Sequence, residues 1–115
     1  MEDKIVKTSN IEVKVGLNEN NLPISMKWTA PDGSITDAPA KAMLLSIWDP
    51  KENNTMKIDL WTKDMSVEEM KQFFHQTLLS LSDSFERATG EKNITEDLRD
   101  YCLHFADKMK ILPEN

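Results

Sequence analysis

The spacing of apolar residues divides the chain into three segments of period two and three of period 3.6. Ile11, Val13, Val15 and Leu17 alternate with Asn10, Glu12, Lys14 and Gly16, the pattern of a strand with one face in water. The polar cluster Asn18-Glu19-Asn20-Asn21 reverses the chain, because asparagine tolerates left-handed backbone angles. A second arm then sets Ile24, Met26 and Trp28 on one face and Ser25, Lys27 and Thr29 on the other, ending at Ala30-Pro31-Asp32-Gly33. Ala40, Met43, Leu44 and Ile47 fall at i, i+3, i+4 and i+7, which predicts a helix over Ala38 to Trp48 with Asp37 as N-cap and Pro39 in its first turn.

After the breaker run Asp49-Pro50-Lys51-Glu52-Asn53-Asn54, alternation returns in Met56 to Thr62. Met56, Ile58 and Leu60 share the inward face of this third strand, and Lys57, Asp59 and Trp61 the outward one. Ser66 and Glu69 form an S-x-x-E capping box opening the longest helix, whose apolar stripe runs through Val67, Met70, Phe74, Thr77, Leu78, Leu81, Phe85 and Ala88 to a stop at Gly90. The last helix is predicted to start after an N-cap at Thr95 and to end near Leu112, before Pro113, with Leu98, Tyr101, Cys102, Phe105 and Met109 in its buried stripe.

The resulting order, β-β-α-β-α-α, predicts an α+β fold: a two-layer sandwich with a three-stranded antiparallel sheet covered on one face by helices. The 115 residues are expected to form a single domain, with residues 1–8 as a mobile N-terminal segment.

Charge narrows the partners. A net charge of −6, with acids and bases interspersed, disfavours nucleic acid and anionic membrane surfaces, which select basic patches. The first residues carry no apolar signal-peptide segment and no run approaches the ~20 residues of a membrane span, so the expected location is cytoplasmic and no membrane insertion is expected. A lone Cys102 forms no internal disulfide and accords with a reducing compartment.

The sequence offers little catalytic chemistry. His75 sits on the flank of the long helix, and His104 lies between Asp100 and Asp107, neighbours that favour an exposed cation. Neither belongs to an H-x-x-x-H or H-E-x-x-H spacing. Cys102 falls within an apolar stripe and reads as an inert buried thiol. Gly16, Gly33 and Gly90 are isolated, so no phosphate-cradling loop is formed. No catalytic, metal or cofactor site is assigned, and five of the seven methionines (Met26, Met43, Met56, Met70, Met109) read as core filler.

Trp61 is the exception. Parity forces it onto the open face of its strand beside Lys57 and Asp59, and an exposed tryptophan among polar residues is a typical interface anchor. Two readings stand: packing over a neighbouring strand, under the N-terminal segment or in a self-association surface, or binding of a partner. A bulge before Leu60 would instead turn the indole inward. The partner-binding candidates are Trp61, Lys57, Asp59 and, on the adjoining arm, Lys27.

The runs AMLLSIWD (Ala42 to Asp49) and KIDLWTKDM through MKQFFHQTL (Lys57 to Leu78), with the preceding hairpin and YCLHFADKM near the end, resemble the gliding motility-associated protein GldC family. The resemblance implies a small cytoplasmic accessory protein of the gliding machinery, with no active site to carry over. The expected function is a non-enzymatic adaptor binding another protein of the gliding or associated secretion apparatus, or a homo-oligomer. The alternative is a small acidic chaperone for a secretion or motility client.

Overall fold

The computed structural model describes residues 3–111. The protein is α+β, and the described residues form five strands followed by two helices: β1 (Glu12–Leu17), β2 (Pro23–Ala30), β3 (Ile35–Pro39), β4 (Ala42–Asp49), β5 (Asn54–Trp61), α1 (Val67–Thr89) and α2 (Lys92–Met109). A single 3₁₀ turn, Pro31–Gly33, joins β2 to β3. The chain divides into two compact units, Met1–Met65 and Ser66–Asn115.

The first unit contains two antiparallel sheets, β1-β2-β3 and β4-β5. In the first sheet Val15 stands opposite Met26 and Val13 opposite Trp28, which faces Ala38 on the other side. These cross-strand pairs gather the apolar residues of both arms on one face, as their alternation predicts, and Met26 is buried there. Asn18 closes the turn, its side-chain oxygen accepting from the backbone N–H groups of Asn20 and Leu22.

The stretch predicted as a helix over Ala38 to Trp48 is extended, so the element order and the single three-stranded sheet are both corrected. Ala42–Asp49 pairs along its whole length with Asn54–Trp61. Spacing alone does not separate these states in a short apolar run: the same residues read as an alternating strand, with Met43, Leu45 and Ile47 on one face and Ala42, Leu44 and Ser46 on the other. The hairpin turn decides it. Lys51 donates its backbone N–H to Asp49 Oδ1, Asn53 takes a left-handed conformation (φ 52), and the returning strand satisfies the backbone that a helix would have satisfied internally. Asp37, the predicted N-cap, lies in β3 at φ 45, beside a register shift, where its N–H donates to Thr29 Oγ1.

Met56, Ile58 and Leu60 do share a face, opposite Ile47, Leu45 and Met43. That face is less covered than its pattern predicts, since Met56, Ile58, Leu45 and Ile47 are all exposed. Periodicity tells which residues lie together but not what lies over them.

The second unit is a helical hairpin. The Ser66 hydroxyl accepts from Glu69 N–H while the Glu69 carboxylate accepts from Ser66 N–H, completing the predicted capping box. Gly90 ends α1 at φ 72, a left-handed position that costs a β-carbon dearly. The second helix begins earlier than its predicted cap: Lys92 follows an N-cap at Glu91, and Thr95 is buried within the helix, its hydroxyl donating to Glu91 O. The helix stops at Met109, with Lys110 in the left-handed cap; Leu112 and Pro113 lie outside the described residues.

Small side chains occupy the helix–helix contact. Ser82 and Cys102 are buried with Oγ and Sγ 4.0 Å apart, so the backbones approach closely. At the hairpin's closed end Arg99 reaches Asp83 at 2.9 Å and Glu86 at 3.0 Å on α1, and Glu96 at 3.4 Å on its own helix. The hydrogen bond that Arg99 donates to Asp83, then that to Glu86, raises its pKa above the ordinary value.

Candidate functional site

The best-defined candidate lies at the C-terminal end of β5. Thr62 is buried and fixed twice: its N–H donates to Lys41 O at 2.8 Å, and its hydroxyl donates to Asp64 Oδ1 at 2.6 Å. Lys63 N–H then donates to Pro23 O at 3.0 Å, tying the end of β5 to the start of β2. Because successive side chains leave a strand on opposite faces, a buried Thr62 directs its neighbour Trp61 outward.

Trp61 is 50 % exposed. Its cross-strand partner is Ala42, too small to cover an indole. The ring borders an open recess of about 300 Å³ lined by Leu22, Pro23, Asp59, Leu60 and Lys63 together with Trp61 itself. Its walls are mainly apolar, with one acid and one base at the rim.

Further along the same face, Asp59 stands opposite Leu44 and Lys57 opposite Ser46. Lys57 Nζ lies 3.9 Å from the Asp59 carboxylate, with both side chains largely in solvent. Such an exposed pair adds little stability, about 0–1 kcal/mol. It gives the face a charge pattern without fixing the fold.

Three of the four candidate residues from the sequence therefore lie together. Trp61 and Asp59 border the recess, and Lys57 pairs with Asp59. Lys27 belongs to the other sheet, in register with Lys14 and Pro39, and does not line the recess. Sequence reasoning missed Leu22, Pro23 and Lys63, which reach the recess from a turn and a connector. It also missed Trp48, opposite Thr55 at the far end of the same β5 face and 60 % exposed. The signal for Trp48 was strand parity, hidden by the helical reading of its segment.

The remaining candidates are dispersed. His75 stacks on Phe105, with ring centroids 6.1 Å apart and planes at 14°, and borders a wide concavity on one flank of the hairpin. His104 is exposed beside Tyr101. Cys102 is buried and free, as its place in the apolar stripe predicts. Among the described residues no group of three His, Cys, Asp or Glu side chains is arranged to hold a metal ion. No helix among them is long and apolar enough to cross a membrane.

Residues 23–111 match the family model described as gliding motility-associated protein GldC-like. The chain belongs to that family. The match starts at the first residue of β2 and runs through β5 and both helices, so the entire Trp61 face of this GldC-like chain, except Leu22, lies within it. No curated protein and no solved structure matches the chain. Membership makes this a gliding motility-associated protein.

Proposed function

We propose that this GldC-like protein is a non-enzymatic adaptor of the gliding machinery, resident in the cytoplasm, and that it binds another protein of that apparatus through the outer face of β4–β5. The observation that carries the reading is Trp61: half-exposed, held outward by buried Thr62, and set over an apolar recess with Asp59 and Lys63 at its rim. A large aromatic ring beside a pocket can bury much new area at low entropic cost, which is why tryptophan dominates interface hot spots. Trp48 and the Lys57–Asp59 pair extend the face along the strand, giving a contact length of roughly 20 Å at about 3.3 Å per residue.

Affinity capture from gliding cells with wild-type and Trp61→Ala baits tests this reading. Recovery of a gliding component by wild type and its loss by at least about thirtyfold with the variant, matching a hot-spot truncation of ~2 kcal/mol, is the expected result. Equal recovery by both baits contradicts the assignment of the face.

The fate of the captured partner in cells lacking this chain separates the adaptor from the chaperone alternative. An adaptor recovers a partner that is stable without it, whereas a chaperone's client aggregates or is degraded when the chain is absent. The exposed apolar row Leu45, Ile47, Met56 and Ile58 supports the chaperone alternative, because it offers a surface to an unfolded segment.

A further inference from the structure

The helical hairpin has two unlike flanks. One is concave and of mixed character, with Gln72, His75 and Gln76 on α1 and Asp107 on α2 interspersed with Leu79 and Leu103. The other carries Phe74, Leu81 and Phe85 on α1 with Ile94, Leu98 and Tyr101 on α2, all six of them exposed. On α2 the apolar residues follow one another at steps of four, three and four, from Ile94 to Phe105. This is the narrow seam of a helix that packs lengthwise on another helix at a shallow angle.

We infer that this flank is the contact between two copies of the chain, which pair antiparallel through α2 about a two-fold axis level with Cys102. Charge supports a second copy as occupant. Asp97 and Lys108 lie on the outer margin of the seam, eleven residues apart, which is about three turns and hence the same side of the helix. Both are exposed, and neither has an ion-pair partner among the described residues. Antiparallel pairing about the level of Cys102 sets Asp97 beside Lys108 of the second copy, and Lys108 beside its Asp97. The same operation brings Leu98 against Phe105. A two-fold contact must be self-complementary in this way, and this margin is.

The flank supplies part of the area that a dimer needs. Phe74, Phe85 and Tyr101 are 39, 37 and 56 % exposed, and Leu81, Ile94 and Leu98 are 58, 47 and 39 % exposed. Covering these six side chains alone removes roughly 400 Å² of apolar surface per copy. That is half of the ~800 Å² that each side of a stable interface buries, before the margins are added.

The mass of the full chain, measured by sedimentation equilibrium across a concentration series, tests the inference. The expected state is a dimer. Asp97→Lys and Lys108→Asp, each alone, set like charges together at both ends of the contact and weaken the dimer by about tenfold, while the two reversals combined restore it. Leu98→Asp abolishes it. Both charge positions are exposed, so these variants keep the test valid if Leu98→Asp does not fold. A monomeric wild type at roughly 100 μM overturns the inference, whether the flank is then covered within the chain or by another protein. So does a dimer indifferent to all of these changes. Trp61→Ala leaves the dimer intact, which keeps this contact distinct from the adaptor face.

Discussion

Thr62 and Ala42 together make Trp61 available. Thr62 is held inward by Lys41 and Asp64, and Ala42 is too small to shield the indole from across the ladder. The first effect was legible in the sequence, because alternation along Met56 to Thr62 fixes which side chains share a face. The second was not, because it requires knowing that Ala42 lies in the pairing strand. A different single-residue contact concerns Asp32. The Ser9 hydroxyl, then the Lys7 ammonium at 3.1 Å, donates to its carboxylate and lowers its pKa below the ordinary 3.8. A carboxylate with a depressed folded pKa contributes stability above its unfolded value and loses that contribution as pH falls through the folded one. An NMR titration of the carboxyl carbon should therefore show Asp32 ionising below the ordinary aspartate value. Lys7→Ala should shift its midpoint upward. A midpoint unchanged by that substitution would contradict the contact.

At the scale of elements, helix ends were read more accurately than the identity of a short apolar run. The capping box at Ser66 and the stop at Gly90 carry specific side-chain and backbone chemistry, and both are where the sequence put them. AMLLSIWD carries no such marker. It became β4 because of pairing with a strand five residues further on, a non-local effect that residue spacing cannot express. The start of α2 was placed late for a related reason: Thr95 resembles a cap, but its hydroxyl satisfies Glu91 O from inside the helix. The helix–helix contact gives a direct energetic test. Ser82 is 1 % exposed and meets Cys102, so Ser82→Leu overpacks the crossing and should cost ~1–3 kcal/mol, read as a lower midpoint in urea unfolding. Unchanged stability would show that the helices do not approach closely there.

For the molecule as a whole, the α+β class and the family were legible from the sequence, whereas the arrangement of strands into two sheets was not. Sheet membership depends on pairings between distant segments, and the misread β4 removed one strand from the count. The candidate face was legible only in outline: Lys57, Asp59 and Trp61 follow from parity, while Leu22, Pro23 and Lys63 reach the recess through backbone hydrogen bonds that no local pattern announces. Family membership ties the molecule to gliding, and the Trp61 face is our account of how it takes part. Replacing the chromosomal copy with Trp61→Ala in a gliding bacterium, with the amount of protein checked, tests that account most directly. A half-exposed tryptophan contributes little to folding compared with the ~3–5 kcal/mol of a core aromatic, so the variant should accumulate normally. The account expects gliding to be lost or strongly slowed at normal protein level; cells gliding at wild-type speed with that level of variant would contradict it.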